Sequence, residues 1–273
     1  MYIIADIGGT KMRIAGSRDL EHFDEPVIIK TPQSYQEGIA AFVETAKEIA
    51  AGEEITKIAA GVPALLSRDR RVIAGAGPHI PEWIGKHIAD DIETALSTNI
   101  YFENDVAQIG LGEATAGAGQ GARIMMYITV STGVNGVRIV DNKIDPAVFG
   151  TEIGHQYLSP SSNDITWEDL LSGSSIEKRY GKHPRDLGPD SSVWEDLAII
   201  TAFGLHNAIL FWSPDRIVLG GSMFNEIGIS VERVRFHLER ITKVLPELPE
   251  ILHSSLGDLG GLHGGLARLR QLD

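Results

Sequence analysis

The chain has no cysteine among its 273 residues. Disulfides, thiolate nucleophiles and cysteine-ligated structural zinc are thereby excluded, and the cytoplasm is the expected compartment. Positive charge is also scarce: 24 lysines and arginines stand against 37 aspartates and glutamates, for a formal net charge of −13 and a sequence pI near 5.1. Such a surface repels a nucleic-acid backbone, so no nucleic-acid partner is expected. Long apolar runs are missing as well. The N-terminal apolar stretch has no basic flank and is interrupted at Asp6, and no later stretch reads as the roughly 20 apolar residues of a spanning helix. Neither secretion nor a membrane partner is expected. No H-E-x-x-H or similar catalytic-metal spacing occurs. What the chain does have is 43% hydrophobic residues, ample for the core of one large domain or two modest ones.

The apolar segment Tyr2-Ile3-Ile4-Ala5 runs into Asp6-Ile7-Gly8-Gly9-Thr10-Lys11 and returns through Met12-Arg13-Ile14-Ala15. This pattern predicts a hairpin whose tip touches phosphate. The adjacent glycines permit positive φ and bring backbone N–H groups close to an anion, while Thr10 offers a hydroxyl and Lys11 a cation. Asp6, at the end of the first strand, is placed to hold a magnesium ion through water. Taken alone, the segment reads equally well as an ordinary tight hairpin. The pattern returns where Met125-Met126-Tyr127-Ile128-Thr129-Val130 leads into Ser131-Thr132-Gly133-Val134-Asn135-Gly136 and out through Val137-Arg138-Ile139-Val140. Two such units imply two related halves, and a nucleotide whose phosphates are held from both is suited to phosphoryl transfer. Neither turn has the G-x-x-x-x-G-K-[ST] phosphate loop, and the G-x-G-x-G of Gly117 to Gly121 follows a helix, so P-loop and dinucleotide-binding folds fail on context.

Between these units the chain alternates strands and helices, which indicates an α/β sheet. Ser34 and Glu37 read as a capping box ahead of Ile39, Phe42, Val43, Ala46 and Ile49. A buried strand is predicted over 55–62, a helix over 84–96, a short strand over 99–102 and a helix over 106–116. The Gly/Ala-rich segment 114–121 marks a crossing between domains. A loop-rich stretch then runs from 141 to about 189, followed by a long apolar helix over 193–212, a strand over 216–219 and a last helix over 259–269. Asn104 and Asp105 fall where a strand gives way to a helix, the place where α/β folds put their ligands. From its position alone Asp105 is a helix N-cap or a general base for phosphoryl transfer, and one residue can do both. Glu152 and His155, three apart, would share one face of a helical turn.

Together with Glu103-Asn104-Asp105, Gly150-Thr151-Glu152-Ile153-Gly154-His155 and Val218-Leu219-Gly220-Gly221, these stretches resemble, in order and spacing over nearly the whole chain, the ROK family of sugar kinases, repressors and open reading frames. The resemblance implies a two-domain actin-like ATPase fold (ribonuclease H-like) with a cleft between the domains. It places residues 1–113 with 259–273 in one domain and 114–258 in the other. It implies ATP and Mg²⁺ as cofactors and a hexose as acceptor. In that reading Asp105 is the general base, and Asp6, Gly8, Gly9, Thr10, Lys11, Thr132, Gly133, Gly220 and Gly221 bind the nucleotide and its metal. Asn104, Glu152, His155, Glu168 and the residue at His79 contact the sugar.

The chain departs from the family pattern at three places. The family's Cys-rich zinc loop after the histidine is here Gln156-Tyr157-Leu158-Ser159-Pro160-Ser161-Ser162-Asn163-Asp164, so Pro160 and side-chain packing are expected to hold it. Ala64 follows Gly61-Val62-Pro63 where the family often has glycine, and His79 stands where the family has a sugar-contacting asparagine. These changes bear on which hexose is accepted. The leading expectation is an ATP-dependent hexose kinase of glucokinase type. Its rivals are a catalytically inactive sugar-binding or regulatory protein, and a polyphosphate-dependent glucokinase. A regulator of this family carries a DNA-binding segment ahead of the first hairpin, whereas this sequence enters that hairpin at residue 2, which disfavours the regulator. A homodimer is compatible with the sequence, which does not fix the oligomeric state.

Overall fold

A computed structural model describes residues 1–77, 80–160, 164–224 and 228–272. The chain separates into two compact units, one of Met1–Ala116, Pro146–Gly150 and Leu256–Asp273, the other of Gly117–Asp145 and Thr151–Ser255.

The first unit contains β1 (Tyr2–Ile7), β2 (Lys11–Ser17), β3 (Val27–Lys30), α1 (Tyr35–Ala50), β4 (Lys57–Val62), the small hairpin β5 (Ala64–Leu66) and β6 (Ile73–Ala76), α2 (Ile88–Leu96), β7 (Asn99–Asn104) and α3 (Asp105–Ala116). Its five-stranded sheet runs β3-β2-β1-β4-β7. Strands β1, β2 and β3 pair antiparallel, and β1, β4 and β7 pair parallel. Strand β1 is apolar almost throughout because both faces of the sheet are covered. The period of two sorts its side chains: Ile3, Ala5 and Ile7 join Phe42, Ala46 and Trp83 on one face, while Ile4 joins Ala59 on the other.

The second unit contains β8 (Ile124–Val130), β9 (Val134–Val140), β10 (Lys143–Ile144), α4 (Trp167–Leu171), α5 (Gly173–Tyr180), α6 (Val193–Trp212), β11 (Arg216–Gly220), α7 (Val231–Ile241) and β12 (Glu250–His253). Its sheet runs β10-β9-β8-β11-β12. The pairing repeats that of the first sheet, with β8, β9 and β10 antiparallel and β8, β11 and β12 parallel. One core, including Met126, Ile128, Trp167, Leu197, Leu205, Ile217 and Leu238, joins this sheet to α4, α6 and α7.

The closing helix α8 (Gly260–Arg270) belongs to the first unit, where Leu262, Leu266 and Leu269 cover Ile4, Ala15 and Ala59. It packs against α3 with unusually little between the backbones. A Cβ on Gly264 would lie 1.7 Å from the Gln108 carbonyl oxygen, and one on Gly112 would lie 2.2 Å from that of Gly260. The obstacle in both cases is backbone, which cannot swing aside. Gly264→Ala is therefore expected to destabilise by about 1–3 kcal/mol or more through overpacking. A denaturant midpoint equal to that of the parent would show that the two helices separate at little cost.

Several local expectations are revised. Ser34 occupies the N-cap of α1, but its side chain makes no capping hydrogen bond, so the capping box is not formed. The helix expected over 84–96 is a 3₁₀ turn at Pro81–Trp83, a left-handed Gly85 (φ 78°) and then α2. The stretch taken as loop-rich holds α4 and α5, and α4 starts with a true capping box in which Thr166 and Asp169 satisfy each other's backbone N–H groups. Helix α7, unassigned from sequence, buries Val231, Val234 and Leu238 at helical spacing. Contrary to the expectation of no membrane-length run, α6 is 20 residues long and apolar enough to span a bilayer. One face of it lies in the core, where Leu197, Ala198, Ala202 and Leu205 are fully buried, while Phe203, Leu210 and Phe211 are exposed.

Candidate active site

In the first unit the tip between β1 and β2 is built by hydrogen bonds rather than by left-handed glycines. Neither Gly8 nor Gly9 is among the positive-φ residues, contrary to the role expected of them. The Gly8 N–H donates to the Lys11 carbonyl at 2.8 Å, and a Cβ on Gly8 would lie 2.9 Å from that oxygen. Close approach, not φ, is what requires glycine at position 8. Thr31 ties the tip to the end of β3, its hydroxyl donating to the Gly8 carbonyl at 2.6 Å and its N–H to the Thr10 carbonyl at 3.0 Å. Thr10 and Lys11 are exposed.

Asp6 sits one residue before the tip region, buried, with Arg13 Nη1 3.9 Å from Oδ2. Burial pushes its carboxyl up to about 6, only partly opposed by Arg13, while Asp258 adds to the rise. Arg13 is itself shared, since it also pairs with Asp258. Gly261 of α8 makes room for Asp6, because a Cβ there would meet the carboxyl carbon at 2.6 Å. A buried carboxylate whose one cation is divided between two acids fits a site for a divalent cation.

Asn104 and Asp105 lie at the junction of β7 and α3. Of the two roles weighed for Asp105, the cap falls chiefly to its neighbour. The Asn104 side-chain oxygen accepts from the N–H groups of Val106 and Ala107 at 3.0 and 3.3 Å, so Asn104 is the cap and Asp105 the first helical residue. Asp105 Oδ1 also accepts from the Val106 N–H at 2.9 Å. Glu103 points the opposite way, as strand alternation requires. It lies buried near Arg70 and Arg268, 3.7 and 4.0 Å away, and burial raises its carboxyl against the pull of both cations.

Gln108, one turn beyond Asp105, was not foreseen. Its buried amide donates to the carbonyls of Ala5 at 2.8 Å and Gly261 at 2.7 Å. It thereby joins α3 to the residue before Asp6 and to the glycine lying over Asp6. A glutamine on a helix carries no local sign of this, because its partners are 103 and 153 residues away.

In the second unit Glu152, His155 and Glu168 come together. Glu152 Oε2 and His155 Nε2 are 4.0 Å apart across a 3₁₀ turn. Burial raises the Glu152 carboxyl, His155 opposes the rise and the charge of Glu168 adds to it. Glu168 is also engaged by the turn that holds Thr132 and Gly133: its Oε2 accepts from the Val134 N–H at 2.6 Å. The ends of the loop after His155 are joined by a bridge between Tyr157 and Thr166 and by the Trp167 N–H donating to the Gln156 carbonyl at 2.8 Å. Trp167, fully buried, fills the space left by Gly204. Gly220 and Gly221 end β11. The Tyr127 hydroxyl occupies the space over Gly220, while Gly221 is left-handed (φ 91°) against the end of β8. His79 lies outside the described residues.

Two five-stranded sheets of the same order, each with its Gly/Thr hairpin turn, define an actin-like two-domain α/β protein. The sequence profile of the ROK family matches residues 2–271, and the chain belongs to that family. It is 28% identical to a fructokinase of Pediococcus pentosaceus over 199 residues, 68% of this chain and 69% of that protein. Among solved structures it is similar to the ROK hexokinase of Thermus thermophilus, at 25% identity and a TM-score of 0.86, covering 99% of this chain and 98% of the other. A ROK family glucokinase of Streptomyces griseus, solved with glucose and AMPPNP, superposes at a TM-score of 0.80 with 23% identity, covering 99% of both chains.

Proposed function

We propose that this protein is an ATP-dependent sugar kinase of the cytoplasm that transfers the γ-phosphoryl group of ATP to a hydroxyl of a glucose-like hexose. One observation carries the reading: a chain related to fructokinases and a hexokinase places Asp105 at a strand-to-helix junction with its helix cap supplied by Asn104. The helix end therefore does not depend on Asp105 alone, and in this reading its carboxylate meets the acceptor hydroxyl. In phosphoryl transfer the transition state is loose and the proton leaves late, so an ordinary carboxylate that orients the hydroxyl and takes its proton is sufficient.

The remaining roles follow from the chemistry of each residue. Gly9, Thr10 and Lys11 on one hairpin, whose tip Gly8 closes, and Thr132 and Gly133 on the other, present backbone N–H groups, hydroxyls and one cation to phosphate oxygens. Gly220 and Gly221 would face the nucleoside with the side of the turn that Tyr127 and the end of β8 do not cover. Glu152, His155 and Glu168, with Asn104, bind sugar hydroxyls, where a mismatched partner is strongly penalised. Asp6 would hold Mg²⁺ through water, and when bound with ATP that ion neutralises charge on the phosphoryl oxygens.

The test is sugar-phosphate formation coupled to ATP consumption, with magnesium, across glucose, fructose, mannose, N-acetylated hexosamines and rarer hexoses. Sugar-dependent turnover is expected with at least one of them. If none supports turnover with ATP or with polyphosphate, yet sugars still raise the melting temperature, the protein is a sugar-binding module and the kinase reading fails.

A further inference from the structure

The turn Ser131–Gly136 is held in one orientation by the segment that carries Glu168. Three bonds do this: Glu168 Oε2 accepts from the Val134 N–H at 2.6 Å, the Gly173 N–H donates to the Ser131 carbonyl at 2.7 Å, and the Ser174 hydroxyl donates to the Thr132 carbonyl at 3.2 Å. A trans peptide unit is planar, with its C=O and the following N–H pointing in opposite directions. Anchoring the carbonyls of Ser131 and Thr132 on the start of α5 therefore turns the N–H groups of Thr132 and Gly133 away from it. The Ser131 N–H is used within the turn, donating to the Gly133 carbonyl at 2.8 Å, and the Val134 N–H is used by Glu168. Two adjacent N–H groups remain directed to one side, the arrangement that cradles an anion. The fit is tight, since a Cβ on Gly133 would lie 2.7 Å from Glu168 Oε2.

We propose that Glu168 is a positioning residue for the nucleotide phosphates: by fixing the Val134 peptide it holds the turn in its anion-binding form, in addition to any contact with sugar. This rests on the kinase reading, in which that turn meets ATP phosphate. Because the action goes through the backbone, it operates with no sugar bound. It needs an acceptor at position 168 rather than a charge, so glutamine should suffice and alanine should not. Ser174 acts in the same sense through the Thr132 carbonyl.

The experiment is titration of the full chain with a non-hydrolysable ATP analogue and Mg²⁺ in the absence of sugar, for the parent, Glu168→Ala, Glu168→Gln and Ser174→Ala. Loss of a charge-assisted bond predicts that Glu168→Ala weakens nucleotide binding about 10-fold or more, that Ser174→Ala weakens it about 2- to 5-fold, and that Glu168→Gln stays within about 3-fold of the parent. A pure sugar ligand at position 168 would leave all three unchanged, and nucleotide affinity in Glu168→Ala equal to the parent's would overturn the proposal. If Glu168→Ala does not melt cooperatively, Ser174→Ala decides, and parental affinity there overturns it equally. A parent that binds no nucleotide would instead sink the kinase reading itself.

Discussion

Replacing Asp105 by alanine or asparagine is expected to lower sugar-dependent turnover by about 10²- to 10⁴-fold, the usual contribution of a positioned general base. The protein should still fold. Because Asn104 supplies the cap of α3 through the N–H groups of Val106 and Ala107, removal of Asp105 takes away the charge at the first helical turn, worth about 0.3–1 kcal/mol, and the bond that its Oδ1 accepts from Val106, but leaves the cap in place. Asn104→Ala should behave in the opposite way, with about 0.5–2 kcal/mol lost from the uncapped helix and a weaker sugar KM. The pair thus separates chemistry from folding. Turnover in Asp105→Asn near the parental rate would overturn the mechanism, and a large fall in the melting temperature of Asp105→Ala would return Asp105 to the role of structural cap. Nucleotide affinity measured without sugar should be the same in both Asp105 variants as in the parent, since neither substitution touches the turns proposed to bind phosphate.

The sequence made legible those features whose cause is local. Apolar segments flanking Gly8–Lys11 and Ser131–Gly136 announce hairpins, and the structure pairs Ile7 with Met12 and Val130 with Val134 across them. The alternation of strand and helix announced the α/β class, and the order of short motifs announced the family. Features set by distant partners were not legible. The repeated hairpin announced two related halves, but the rest of the duplicated strand order did not show, because a buried strand needs only to be apolar, and Tyr2–Ile7 and Ile124–Val130 meet that need with different side chains. The glycines of the first tip were read as conformational necessities, yet Gly8 is required by the closeness of the Lys11 carbonyl. Gln108 has no sign of a role in the sequence until Ala5 and Gly261 are brought beside it. Glu168 carries no hint that the Val134 N–H, 34 residues earlier, lies against it. Even a local cap is legible only to its neighbourhood, since Ser34 makes no capping bond and Asn104 rather than Asp105 caps α3, and a bond between segments exists only once the sheet has set their spacing.

Asp6→Asn is expected to give a protein that is no less stable than the parent at pH 8 and much less active. The Asp6 carboxyl titrates near 6 in the folded chain because it is buried, and Arg13, shared with Asp258, does not fully compensate. A folded-state value above the unfolded one means that the native state binds the extra proton, so stability falls as pH rises from about 4 to about 6 and remains lower above that. A shift of this size corresponds to at most ~3 kcal/mol at pH 8, a cost that the neutral asparagine does not bear. Melting temperatures at pH 4.5 and pH 8 read the sign directly: the advantage of the variant should grow with pH and be smallest at the acidic end. If the variant instead melts lower than the parent at pH 8 and equally at pH 4.5, the ion pair with Arg13 is net stabilising and Asp6 is a structural residue. Activity supplies the second half of the argument. If Asp6 holds Mg²⁺ through water, as proposed, its removal should reduce turnover about 10- to 100-fold. Added Mg²⁺ with nucleotide should likewise raise the melting temperature of the parent more than that of Asp6→Asn, because only the parent has a charge there for the ion to offset.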